Sequence, residues 1–102
     1  MKLGMIQGRL LRPEDGGMQE FPVCWEEEFD KANKLELNHI EWIVTSRSFS
    51  YNPIFSRDCS GFSISSLCAD NLVDDRFLDD RFLNESLDPI CKAALDNKVM
   101  WI

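Results

Sequence analysis

Three short apolar runs, Leu3 to Ile6, Ile40 to Val44 and Phe62 to Ala69, are separated by long connections, and this spacing limits the available folds more than any other feature. Parallel strands need a crossover of a dozen or more residues, usually helical, and β/α alternation with right-handed crossovers is the common solution. A parallel α/β sheet with each strand covered on both faces is therefore expected. Leu3 to Ile6 runs into Gln7-Gly8-Arg9, the pattern of a buried strand reaching its polar tip. Leu11 to Cys24 holds Pro13, Gly16, Gly17 and Pro22, which exclude one regular element and predict a long surface loop. Loops of this length are often functional.

Trp25, Phe29, Ala32 and Leu35 recur in steps of four and three, while Glu26, Glu27, Glu28, Asp30, Lys31 and Lys34 fill the opposite side. This periodicity predicts an amphipathic helix from Trp25 that stops near Asn38, its acidic first turn favoured by the helix dipole. In the second strand Glu41 is a charge inside an apolar run, which fits a residue near the strand end that is wet or paired with an arginine. Thr45 to Gly61 surrounds Pro53 with Ser, Arg and Asn, has no period of 3.6 or 2, and reads as irregular. The third strand closes on Asp70. Asn84 is placed to cap a last helix in which Leu87, Ile90, Cys91 and Ala94 keep helical spacing, with Pro89 in the first turn and Asn97 as its left-handed end. Val99 to Ile102 reads as the opening of a fourth strand. Asp74 to Leu78 is repeated without change as Asp79 to Leu83. A shift of five residues turns a helix by about 140° net, so the two Phe-Leu pairs cannot share one face and one copy is expected in a loop.

Eleven Lys and Arg against eighteen Asp and Glu give a formal charge of -7, which repels a phosphate backbone and an anionic lipid surface. Neither nucleic acid nor membrane is an expected partner. No apolar run approaches the roughly 20 residues of a membrane span, and Met1 to Leu10 lacks the blocks of a signal peptide, so a cytoplasmic protein is expected. Cys24, Cys59, Cys68 and Cys91 are too unevenly spaced for a zinc knuckle and read as reduced thiols. His39 is the single histidine, which rules out a site needing two within this chain.

Met5-Ile6-Gln7-Gly8-Arg9-Leu10, Phe21-Pro22 before Trp25-Glu26-Glu27-Glu28-Phe29, Ile40-Glu41-Trp42-Ile43, Asn52-Pro53, and Ser65-Ser66-Leu67-Cys68-Ala69-Asp70 follow one another in a telling order. They resemble the opening of sugar phosphate isomerases/epimerases with a xylose-isomerase-like barrel. The resemblance covers most of this chain but only three or four of the family's eight units. It implies a partial TIM barrel with its site on the loops after the strands. In complete relatives it implies a divalent metal, held by carboxylates and one histidine on later strands, that polarises the sugar during proton transfer. No metal ligand or catalytic residue carries over to this chain. What carries over is the rim of the pocket: Gln7, Arg9, Glu41, Cys68 and Asp70 would face the substrate.

The chain departs from the family pattern where glycines are expected, at Glu36 and His39, so a left-handed position there would be strained by about 1 kcal/mol. Its connection from Asn52 to Phe62 is too short for the usual second helix, the pentapeptide repeat is extra, and the last four strands are missing. The resemblance thus implies a truncated family member, catalytically incomplete alone, that meets a sugar or sugar phosphate only if completed. Two other readings compete with it. A half-barrel could self-associate through its open sheet edge, or the helix from Trp25 to Glu36 or the edge near Trp101 could serve a non-enzymatic interaction module. Arg9 and Arg12 could hold a phosphate near Gly16 and Gly17. Cys68 lacks an evident general base and is a weak candidate nucleophile.

Overall fold

The computed structural model describes residues 1–16, 19–20, 23–56, 59, 61–73 and 79–102. Phe21-Pro22, Gly17 and the first copy of the repeat, Asp74 to Leu78, lie outside the described residues. Strands β1 (Gly4–Ile6), β2 (His39–Val44) and β3 (Ile64–Ala69) form one parallel sheet in sequential order. The α/β class and the parallel pairing expected from the spacing are therefore present. Past β3, Trp101 makes one further parallel bridge to Ser66, and Leu67 N donates to Trp101 O at 2.9 Å. No helix among the described residues is long and apolar enough to cross a membrane.

Among the described residues, one face of the sheet is covered. Ile40, Trp42, Val44 and Leu67 point into a core shared with Trp25, Phe29, Ile54, Ile90 and Ala93. Trp25 stands edge-on to Trp42 at 5.2 Å and to Phe62 at 5.4 Å, and Phe29 meets Phe62 at 4.3 Å between ring centroids. On the other face His39, Glu41, Ile43, Ser66 and Cys68 are half-buried or exposed, and all three residues of β1 are exposed. The expectation of strands buried on both faces, with Leu3 to Ile6 as a buried strand, is thus corrected. The apolar residues of both crossovers converge on the Trp42 side, and among the described residues no helix packs on the side that carries Glu41.

Helix α1 spans Glu27–Lys34, shorter than its pattern predicts, and Leu35 is 57% exposed instead of buried. The chain leaves the helix early because Glu36 takes φ 59, letting Glu36 N bond Asn33 O at 3.1 Å and Leu37 N bond Ala32 O at 2.9 Å. These two bonds make a Schellman ending, normally completed by glycine at the left-handed position. The same pair closes the last helix: Lys98, not Asn97, is left-handed at φ 58, with Lys98 N on Leu95 O at 3.2 Å and Val99 N on Ala94 O at 2.8 Å. Asn97 instead turns inward, accepting from Cys59 N at 2.6 Å and donating to Ala93 O and Ile54 O. Since a left-handed residue with a Cβ costs about 1 kcal/mol, Glu36→Gly and Lys98→Gly should each raise the unfolding free energy by about that much in urea titration. An unchanged midpoint for both would contradict this account.

The last helical run starts at Asp79, whose carboxylate accepts from Phe82 N at 2.8 Å, so the cap is Asp79 and not Asn84. The run passes through α2 (Asp80–Phe82), a π turn (Leu83–Leu87) and α3 (Asp88–Asp96). Pro89 has no N–H to give and its ring would strike the carbonyl four residues back, and the wider π turn directly before it makes room. The second copy of the repeat is thus helical. The described residues of Thr45 to Gly61 hold turns and one 3₁₀ helix, Pro53–Phe55, and no α-helix. Asn52 fixes this connection from inside the core: its Oδ1 accepts from Trp42 Nε1 at 2.8 Å and Ile54 N at 3.2 Å, and its Nδ2 donates to Ile43 O at 3.0 Å.

Candidate functional site

The bare face of the sheet gathers the chemistry that the strand sequences carry. Strand register sets Ile6, Glu41, Ser66 and Trp101 side by side in one row across it. A register shift after Ile40 inserts Ser65 as an extra residue and brings Ser66 opposite Glu41. Ser66 Oγ then donates to Glu41 Oε1 at 3.1 Å. Glu41 is therefore mid-strand with a hydroxyl partner, not at a strand end beside an arginine. His39 is the first residue of β2, on the same face two positions before Glu41, where the sequence places it ahead of the strand. Its imidazole lies across Gly4, where an added Cβ would come within 2.1 Å of the ring. Gly4, Ile6, His39, Glu41 and Ser66 line a shallow groove of about 240 Å³.

Further along the same face Cys68 is exposed, and its thiol pKa is pushed up by partial burial first, then by the carboxylates of Glu41 and Asp70. The thiol is thus kept protonated at neutral pH, which suits a weak hydrogen-bond donor and not a nucleophile. Alkylation of Cys68, followed by mass spectrometry of its own peptide because Cys24 is exposed too, should reach half its limiting rate above the pH of about 8.5 typical of a free thiol. Glu41→Gln removes one of the negative charges and should move that midpoint down. A midpoint at or below the free-thiol value in the unaltered chain would contradict the geometry.

Of the five rim residues, the structure brings Glu41, Cys68 and Asp70 together at one face. Gln7 and Arg9 go elsewhere. Gln7 N bonds Glu41 O at 3.0 Å, but the Gln7 side chain is 1% exposed, on the covered side, and neither amide atom has a partner among the described residues. A substrate at the bare face cannot reach it. Arg9 is in the loop after β1, where its Nη1 donates to Gln19 O. That bond turns the guanidinium along its own loop, so a shared phosphate site with Arg12 gains no support. The apolar stripe of α1 is also spent: Trp25 and Phe29 are each 7% exposed, leaving no aromatic anchor for a partner.

Glu28 is the residue that helical periodicity misassigns. Assigned to the solvated side of α1, it is instead completely buried and accepts from Gly8 N at 2.8 Å, Leu11 N at 3.0 Å and Leu10 N at 3.2 Å. One side chain thereby holds the turn after β1. Glu20 adds a second tie, accepting from Thr45 Oγ1 at the end of β2 at 2.7 Å. A glycine two residues past a strand, followed 20 positions on by a glutamate in a helix, was the available signal. Among the described residues no three His, Cys, Asp or Glu come together in a way that could hold a metal ion. Comparison with family models, with curated proteins and with solved structures returns no match for this chain.

Proposed function

We propose that the chain is a wall segment of a sugar phosphate isomerase/epimerase-type TIM barrel, whose bare sheet face binds the hydroxyl groups of a sugar and which does not catalyse isomerisation by itself. The observation that carries the reading is the bare face: Glu41, Ser66 and Cys68, with Asp70 directly after β3, lie on the side of a parallel sheet that the described helices leave open. In a closed barrel that side is the interior. The order of motifs along the sequence supports the same reading.

The charges narrow the ligand. Carboxylates accept strongly from hydroxyl groups and repel a phosphate, so the polyol part of a sugar is what this face takes. Family relatives use a divalent metal for proton transfer, and the donors here do not fit one: Glu41 is engaged with Ser66, and the Cys68 thiol is held protonated. The chain therefore binds and orients without the group that would move a proton.

Amide-resolved NMR titration with a free ketose and with its phosphate tests this. Shifts should appear at Ile6, Glu41, Ser66, Cys68 and Asp70, more strongly for the free sugar, and Glu41→Gln should remove them. Shifts confined to other residues, or none at saturating sugar, would overturn the site. Turnover of any sugar by the purified chain, with or without magnesium or manganese, would overturn the claim of incompleteness.

A further inference from the structure

We infer that the bare face is an interface between two copies of this chain, closed at each seam by Ile6 of one copy packing against Trp101 of the other. This goes beyond sugar recognition and stands or falls separately from it. Three observations carry it.

The first is the unused hydrogen-bonding edge. Gln7 N bonds to Glu41 O, and Leu3 O accepts from Asn38 N, so the odd residues of the first strand turn their backbone toward β2. Gly4 and Ile6 alternate with them and turn theirs outward, to an edge with no neighbouring strand among the described residues. At the opposite edge Trp101 pairs with Ser66 and extends the sheet in parallel. A chain that pairs with both edges has to offer a parallel strand to each. A second copy does so with one twofold axis running along the strands: its Trp101 strand meets β1, and its β1 meets the Trp101 strand.

The second is the row across the face. It reads Ile6, Glu41, Ser66, Trp101, with its polar pair in the middle and its apolar residues at the two edges. Closure by a second copy places an apolar end against an apolar end at both seams. The third is apolar exposure. Leu3 is 51% exposed, Met5 37%, Ile6 44%, Met100 80%, Trp101 72% and Ile102 58%, all of them on the two edge segments. Of these, Ile6 and Trp101 belong to the row across the bare face, and the others flank it along the same two edges.

Light scattering and sedimentation of the full chain over a concentration series test the inference. The expected mass rises from 11.8 kDa to a plateau at twice that value. Trp25 and Trp42 are buried, so collisional quenching reads Trp101, and it should fall as the mass doubles. Ile6→Lys and Trp101→Glu should each give a folded monomer by circular dichroism. Mixed together they should restore the doubled mass, because one seam then keeps Ile6 against Trp101 and the other sets the introduced lysine against the introduced glutamate. A monomeric mass at every concentration would overturn the inference and leave the face to a different chain. A mass that climbs without plateau would also overturn it, as would folded variants whose mixture stays monomeric. If Ile6→Lys does not fold, unchanged Trp101 quenching across the concentration series of the unaltered chain is sufficient to reject it. Loss of dimer with sugar shifts intact separates this failure from failure of the sugar reading.

Discussion

Glu28→Ala is expected to lower the unfolding free energy by about 2–4 kcal/mol, a large part of the 5–15 kcal/mol that holds a domain of this size together. The carboxylate is fully buried and accepts three backbone N–H groups from residues 8 to 11. Bonds to an ionised acceptor contribute about 1.5–3 kcal/mol each, but Leu10 N and Leu11 N are only part-buried and water entering the space left by alanine would take over some of their loss. Gly8 N is buried and would not be rescued in that way. Relief from burying a charge offsets a further share, which is why the total stays below the sum of three bonds. Glu28→Gln keeps one carbonyl oxygen and should cost about half as much. Urea titration gives the magnitudes, and amide hydrogen exchange gives the location: Gly8, Leu10 and Leu11 should lose protection ahead of β2. Equal stability of Glu28→Ala and the unaltered chain would show that these bonds do not hold the loop.

How much of this was visible in the sequence follows from what each signal measures. Alternation of apolar runs reports sheet direction, because a parallel pair needs long crossovers, and the parallel order of β1, β2 and β3 agrees with it. Apolarity by itself does not report which face is covered. Ile6 and Ile40 look alike in the sequence, yet one is 44% exposed and the other 0%, since coverage depends on where the helices land. Periodicity placed Trp25, Phe29 and Ala32 in the core correctly and Glu28 wrongly, because the hydropathy of a carboxylate carries no record of three backbone donors waiting for it. Helix ends were misplaced for a related reason. Glycine and asparagine are the usual left-handed residues, and here Glu36 and Lys98 take the position under the demand of the following Leu37 and Val99, whose backbone N–H groups complete the ending. Glu41, Cys68 and Asp70 could be placed on one face from the sequence because they sit on or directly after strands, where a pleat of period two fixes their side. Gln7 and Arg9 follow β1 into a turn, and no such rule extends there.

Gly8→Ala should cost about 2–5 kcal/mol. Two independent effects meet at this position. Its φ of +80° is one that a residue with a Cβ adopts at a cost of about 1–2 kcal/mol. The added carbon would also stand 2.4 Å from both Gln19 O and Glu20 O, and these are backbone atoms that cannot swing aside as a side-chain end could. Either residue 8 moves away from Glu28 or the segment at Gln19 and Glu20 moves away from β2, taking the Glu20 to Thr45 bond with it. Forced repacking of this kind typically costs about 1–3 kcal/mol beyond the backbone term. Gly16 supplies the control. Its φ of +77° is nearly the same, but no atom lies within 4 Å of its missing Cβ, so Gly16→Ala should show the conformational cost alone, about 1–2 kcal/mol. The difference between the two variants in urea titration isolates the close approach. A double variant with Glu28→Ala should be less damaging than the two single losses added together, since both release the same turn. Full additivity would mean that Gly8 and Glu28 hold separate parts of the loop, and equal costs at Gly8 and Gly16 would remove the close approach from the account.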